Sequence, residues 1–323
     1  MDTISDTLIQ SIRRKRANGD EEYAKPFLKW AGGKSQLLTE FAARLPVELK
    51  EGLLTRYIEP FVGGGAMFFY IIQLFPLNES ILCDKNPELI LTWETIKKDV
   101  TGLIRLLSEM QVHYYSLDEV DRMSYFYEVR DALNDEQKSF DYTKFNETTV
   151  RRASQIIFLN RTCFNGLFRL NSKGEFNVPF GRYKNPTIVN EKNLKKISAL
   201  LSNTSFIQGD FNTCLEYAGK KTFMYLDPPY RPLNKTSSFT GYSSEGFSEE
   251  DQIRLADFFV NADQAGSKIM LSNSDPRNED PSDHFFDDLF RDYHIERILA
   301  KRIINSVGEK RGAINELIIR NYQ

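Results

Sequence analysis

Cysteine and histidine are scarce in this chain of 323 residues, with three of each. The cysteines (Cys83, Cys163, Cys214) lie far apart and none sits in a Cys-x-x-Cys pair, so neither a disulfide framework nor a zinc site is expected. The histidines (His113, His284, His294) are equally scattered and read as surface residues; no metal is expected. Long apolar runs are missing too. The longest, Met67 to Phe75 with Gln73 inside it, is about half of the roughly 20 residues a membrane span needs. The first residues, "MDTISDTLIQSIRRKR", carry early aspartates and no apolar core, unlike a secretory signal. A cytoplasmic protein without membrane partners is expected.

A hydrophobic content of 41% and a charged content of 27% are those of an ordinary globular protein, and the length suits one large α/β domain with an insertion, or two domains. The net charge of −3 argues by itself against a polyanionic partner, but its distribution does not. Between Arg151 and Lys196 stand ten Lys and Arg against Glu175 and Glu191, a local +8, which leaves −11 for the remainder. A basic island in an acidic chain fits a face that meets polyanion. A solvated helical surface is the competing explanation.

Along the chain, Lys34 to Leu45 has a helical stripe that ends at Pro46, "RYIEPF" reads as a strand, "GGGAMFFYIIQLF" as a glycine loop opening a helix, and "SILCD" as a second strand. A helix with Pro87 in its first turn follows. This is the start of a βαβ unit, so a parallel sheet is expected. Residues 99 to 160 look helical, and 164–183 look like a β-hairpin, with "NSKGE" turning between "GLFRL" and "FNVPF". Strand patterns return at 204–211 and 221–227; a helix capped by Ser248 follows, then "SKIMLSN", "YHIERILA" and "NELIIRNY" as last strands.

Three motifs carry candidate chemistry. In "EPFVGGGAMF" a glycine turn at a helix start lets a ligand approach the backbone, and Asp84, 19 residues after Gly65, suits ribose hydroxyls. The dinucleotide fingerprint fails at Phe68, and "AGGKS" fails as a P-loop because the first glycine would fall at Leu28. A nucleoside ligand without a pyrophosphate fits. In "DPPY", Pro228 and Pro229 stiffen the turn after Asp227, so a carboxylate, a carbonyl and the Tyr230 ring are held in one relation. That set suits an –NH₂ group on a planar base. In "FLKWAGGKS" an aromatic residue, a glycine pair and a lysine suit a cofactor, although core packing explains Phe27 and Trp30 equally well.

With the basic hairpin lying between the second strand and "DPPY", the chain resembles the Dam-type, D12-class DNA adenine methyltransferases with α-type motif order. The resemblance runs from Pro26 to about Tyr322 and rests on "FLKWAGGKSQLL", "EPFVGGGAMF", "DKNPELI", "LNRTCFNGLFRLNSKGEFNVPFGRYKNP" and "LDPPYRPL". It implies a Rossmann-like, S-adenosyl-L-methionine-dependent α/β sheet with an inserted helical target-recognition domain carrying a β-hairpin. The implied divisions are an extension at 1–25, a catalytic domain at 26–98 and 200–323, and an insertion at 99–199 with its hairpin at 164–183.

By the same resemblance, Trp30, Lys34, Phe61, Gly63, Gly65, Asp84, Asp210 and Asp227 hold the cofactor. Asp227, Pro228 and Tyr230 act on an adenine rotated out of duplex DNA, and 231–247 is a lid. Arg169 reads guanine, Leu167 and Pro179 make apolar contacts, Phe164 and Asn165 neighbour the displaced partner base, and Lys29 reads a further base. Arg161, Arg182, Tyr183 and Lys184 meet phosphate. GATC is the implied target, in-line transfer the mechanism, and a monomer the expected state. Thr162-Cys163-Phe164 and Leu170 depart from the commonest hairpin string. A cognate restriction endonuclease is a partner at the pathway level in one setting, and a solitary regulatory role is the other. The competing functions are an RNA or protein amino-methyltransferase with the same turn, and a catalytically silent DNA-binding regulator.

Overall fold

The computed structural model describes residues 23–30, 37–231, 247–301 and 313–323. Lys34, nearly all of the 1–25 extension and most of the lid at 231–247 therefore lie outside the described residues.

Each short apolar run of the sequence forms a strand: β1 (Arg56–Glu59), β2 (Glu79–Asp84), β3 (Thr204–Gln208), β4 (Thr222–Leu226), β5 (Lys268–Ser274), β6 (His294–Lys301) and β7 (Ala313–Arg320). They make one sheet in the order β3-β2-β1-β4-β5-β7-β6. The first five strands are parallel, and β7 runs antiparallel between β5 and β6. β4 is buried along its whole length, as a central parallel strand with both faces covered must be. Its side chains alternate: Phe223 and Tyr225 enter the core on one face, Met224 and Leu226 the core on the other.

Helices cover both faces. After α1 (Leu38–Ala43) and α2 (Val47–Lys50), α3 (Ala66–Ile72) follows the glycine turn and α4 (Pro87–Lys98) follows β2. Asn86 caps α4 by accepting from the Glu88 and Leu89 amides at 3.0 and 3.4 Å. Then come α5 (Val100–Ser116), α6 (Glu119–Gln137), α7 (Glu147–Thr162) and α8 (Glu191–Leu200), before the chain re-enters the sheet at β3. The opposite face is covered by α9 (Glu249–Gln264), with Ser248 and Asp251 in a capping box, and by the short α10 (Phe285–Leu289). Among the described residues no helix is long and apolar enough to cross a membrane.

The segment between α4 and β3 has no core of its own. Phe126, Ile156 and Phe158 belong to the same apolar cluster as Trp93 of α4 and Phe68 of α3. A buried ion pair reinforces the joint. Arg152 of α7, 1% exposed, donates from Nε to both oxygens of Glu88 on α4, at 3.0 and 2.9 Å, and from Nη2 to Oε1. Its Nη1 reaches the Leu133 carbonyl at 3.1 Å, Tyr142 donates to Glu88 at 2.5 Å, and the Phe140 ring lies 4.7 Å from the guanidinium. Arg152 therefore belongs to the interior and adds nothing to the surface charge of the basic island.

Arg152→Ala removes the cation that faces Glu88 in the core. A loss of about 3–5 kcal/mol is expected in urea denaturation, with Arg152→Met plus Glu88→Leu recovering most of it.

Candidate active site

The sheet order sets β2 and β4 on either side of β1, and the C-terminal end of each of these three strands carries a carboxyl: Glu59, Asp84 and Asp227. The chain leaves β1 toward β2 and β3, then returns to β4 on β1's other side, so the site lies at the point where strand order reverses.

Asp84 is fixed by backbone. Its Oδ2 accepts from the Gly63 amide at 3.1 Å and its Oδ1 from Asn86 at 3.0 Å. Burial pushes its carboxyl up to about 6, against the pull of those two amides. Glu59 is buried, accepts from the Tyr57 hydroxyl at 2.7 Å, and lies well above the usual carboxylate range because of that burial, with Asp227 and Asp84 adding like-charge repulsion. The glycine turn between β1 and α3 is built around indoles. Gly63 (φ +45°) and Gly65 (φ +69°) adopt left-handed backbone. A Cβ on Gly63 would stand 2.7 Å from Trp30 Nε1, and one on Gly65 2.7 Å from Trp93 Cζ2. Trp93 Nε1 donates to the Gly63 carbonyl at 3.3 Å.

The "DPPY" turn is held by three elements. Ser272 of β5 donates to Asp227 Oδ1 at 3.1 Å, Gln252 of α9 to the Pro229 carbonyl at 3.1 Å, and the Tyr230 hydroxyl to Glu316 of β7 at 2.6 Å. Phe61 packs with Phe211 and Phe247, ring centroids 5.4 and 5.8 Å away, and forms an aromatic wall beside the strand ends. Asp210, after β3, has its carboxylate turned toward Arg254 at 2.9 Å and Lys85 at 3.5 Å.

The hairpin region is anchored to this site. Trp30 lies over Gly63 and Gly64 and stacks on Phe168, with centroids 5.5 Å apart and planes 23° apart. Asn160, fully buried on α7, accepts from the Lys29 amide at 2.8 Å and donates to the carbonyls of Lys29 (2.9 Å) and Gly166 (3.1 Å). From that joint project the exposed Lys29, Phe164, Asn165, Arg169, Pro179, Arg182 and Lys184. Asn165 (φ +57°) and Arg182 (φ +53°) are left-handed, Asn165 donates to Tyr183 Oη at 3.1 Å, and the Lys29 ammonium sits 4.8 Å from the Tyr183 ring. Leu167 is half-buried. Arg161 spends its guanidinium on the Phe27 carbonyl at 2.6 Å, and burial lowers its pKa. The hairpin pairs only at Cys163↔Phe180 and Leu170↔Phe176. Asn134 of α6 takes the place of a strand partner for Phe176, accepting from its amide at 2.8 Å and donating to its carbonyl at 3.1 Å.

Several of these residues escaped the sequence reading. Glu59 was legible, since it ends its strand as Asp84 and Asp227 end theirs. Asn160, Gln252, Ser272 and Glu316 carry no local motif and are identified only by what they touch.

A seven-stranded sheet of this order, parallel except for β7 and with carboxyls at its switch point, is that of a Rossmann-like methyltransferase fold. The family model for D12 class N6 adenine-specific DNA methyltransferases matches residues 30–304, and the chain belongs to that family. It is 50% identical over 299 residues to the type II methyltransferase M.MjaIII of Methanocaldococcus jannaschii, covering 92% of this chain and 99% of the relative. It is 39% identical to the type II methyltransferase M1.LlaDCHI of Lactococcus lactis subsp. cremoris (92% and 95%), and 34% identical to the DNA adenine methylase of Haemophilus influenzae (91% and 92%). The chain is thus an adenine-specific DNA methyltransferase, and its methyl donor is S-adenosyl-L-methionine. Family membership sets DNA as the substrate class, in place of RNA or protein.

The donor set fits that cofactor. Each Asp84 oxygen spends one lone pair on an amide and keeps another for a ribose hydroxyl. Among the described residues no group of three or more His, Cys, Asp or Glu is arranged to hold a metal ion.

Gly65→Ala forces both a left-handed Cβ and a collision with Trp93. A destabilisation on the order of 1–3 kcal/mol is expected in thermal unfolding, together with weaker cofactor binding in calorimetry.

Proposed function

We propose that the enzyme methylates the N6 amino group of adenine within GATC, after extruding that base from duplex DNA. The observation that carries this reading is the "DPPY" turn, held by Ser272, Gln252 and Glu316 at the end of β4 beside the carboxyls of β1 and β2. Trp30, Phe61, Gly63, Gly65, Asp84 and Asp227, with Lys34, hold the cofactor, which supplies an electrophilic sulfonium methyl. Asp210, already paired with Arg254 and Lys85, borders the pocket for its adenine ring.

An amino nitrogen inside the stack is out of reach, so the base must leave the duplex. Tyr230, tethered through its hydroxyl, offers a ring face of fixed direction for stacking. The Asp227 carboxylate and the Pro228 carbonyl accept the two amino hydrogens, which draws the nitrogen lone pair out of conjugation and aims it at the methyl group. These residues would hold the amino nitrogen in line with the sulfonium methyl, so that the N–C bond forms as the S–C bond breaks, the thioether leaves and one amino proton is released; catalysis comes from positioning and from charge placed in advance.

The insertion at 99–199 recognises the target. Arg169 reads guanine from an exposed position where Asn177 Oδ1, 2.8 Å from its Nε, steadies it. Phe164, half exposed on a left-handed turn, is poised beside the displaced partner base, with Asn165 next to it. Leu167 and Pro179 meet thymine methyls, Lys29 reads a further base, and Arg182, Tyr183 and Lys184 hold phosphates. Arg161, bonded to Phe27, supports this surface from within. The enzyme acts as a cytoplasmic monomer, either beside a cognate restriction endonuclease or alone.

Sequencing of modified bases in DNA treated with the purified protein tests the target: methyl-adenine confined to GATC is expected. Asp227→Ala should abolish transfer while duplex binding survives in a gel-shift assay, and normal turnover would sink the assignment. Arg169→Ala should cost about 1–3 kcal/mol of discrimination against substitutions of the first base, measured as kcat/KM ratios on variant sites.

A further inference from the structure

We propose that Ser272 and Tyr225 are positioning residues for methyl transfer: a two-hydroxyl relay, Tyr225 to Ser272 to Asp227, sets the orientation of the reacting carboxylate. This inference rests on the catalytic reading of Asp227 given above.

Of the three contacts on the "DPPY" turn, those from Gln252 and Glu316 hold the backbone and the ring. The contact from Ser272 falls on the carboxylate itself, with Oγ 3.1 Å from Oδ1. Ser272 is buried, and its Oγ lies 2.9 Å from the Tyr225 hydroxyl, which is buried as well. Proton counting fixes the direction of the chain. A serine hydroxyl has one hydrogen, and an ionised carboxylate can only accept. The Ser272 hydrogen is therefore committed to Asp227, and Tyr225 must donate to Ser272. Burial and the neighbouring Asp227 charge keep Tyr225 protonated by raising its pKa well above the ordinary value, so the donor is always loaded.

The sheet register explains why these residues meet. Leu226 pairs with Leu271 across the parallel β4–β5 ladder, so the next residues stand side by side: Asp227, just past the end of β4, and Ser272, within β5. Tyr225 lies two residues before Asp227 and points to the same face of β4. The relay is thus rooted in two paired strands. With Oδ1 tied to the sheet, the plane of the carboxylate is set before the base arrives, so the orienting step is not left to the reaction.

The test is a double-mutant cycle on single-turnover methyl transfer with the full-length enzyme, cofactor and a GATC duplex. Ser272→Ala is expected to lower the single-turnover rate constant by about 10–100-fold, and Tyr225→Phe by a smaller factor of about 3–10, with KM for DNA and cofactor within about two-fold of the parent. Because Tyr225 acts only through Ser272, adding Tyr225→Phe to Ser272→Ala is expected to change the rate constant no further. Multiplicative effects of the two substitutions would overturn the relay. So would rate constants within two-fold of the parent, or a loss confined to the amplitude of the single turnover, which reports misfolded enzyme. Asp227→Ala is run alongside: turnover in that variant removes the catalytic reading, whereas an inactive Asp227→Ala with unaltered Ser272→Ala and Tyr225→Phe removes the relay alone.

Discussion

The chemistry of this enzyme depends on one constraint of connectivity: β1 lies between β2 and β4, with all three strands parallel. Parallel strands end on the same side, so Glu59, Asp84 and Asp227 must gather at one edge of the sheet although they lie far apart in sequence. No loop has to bend to bring them together. Burial of this edge raises both Glu59 and Asp84, and at Glu59 the charges of Asp227 and Asp84 add to the effect of burial.

A second joint ties the hairpin region to the edge of the sheet where the carboxyls gather. Asn160 bonds to both backbone groups of Lys29 and to the Gly166 carbonyl, and Trp30 spans from the glycine turn to Phe168. Any shift of the hairpin is therefore felt two residues away at the turn beside the cofactor site. Deeper in the interior, the Glu88–Arg152 pair binds α7 to the helix that starts beside Asp84. The segment between α4 and β3 shares one apolar cluster with a face of the sheet, so it packs as an extension of the sheet.

How much of this was legible beforehand follows from the range of each interaction. Strands, the capped helices and the glycine turn were legible because their causes are local: apolar alternation, Pro87, Ser248 and a run of three glycines. Asp84 and Asp227 were legible for the same reason, and Glu59 was equally so. The basic island was misread in part. Charge counting cannot tell that Arg152 faces Glu88 or that Arg161 faces a carbonyl, since those partners come from 64 and 134 positions away. The hairpin was legible as a turn with two flanking runs, but its pairing is sparse because Pro179 lacks an amide and Asn134 supplies partners from α6.

Ser272, Gln252 and Glu316 mark the limit of local reading, and the reason is physical. Each acts on the "DPPY" turn through a side chain whose position is set by the sheet register or by the docking of α9. A serine in "LSNS" looks like any strand-end residue until β5 is laid beside β4. The turn itself is stiff, but two prolines restrict only the backbone, and a carboxylate attached to a stiff backbone still rotates about its own bonds. Side-chain orientation has to come from a neighbour, and the strand that parallels β4 is the element rigid enough to provide it. The motif thus specifies which groups stand at the strand end, while the sheet around it specifies how they point.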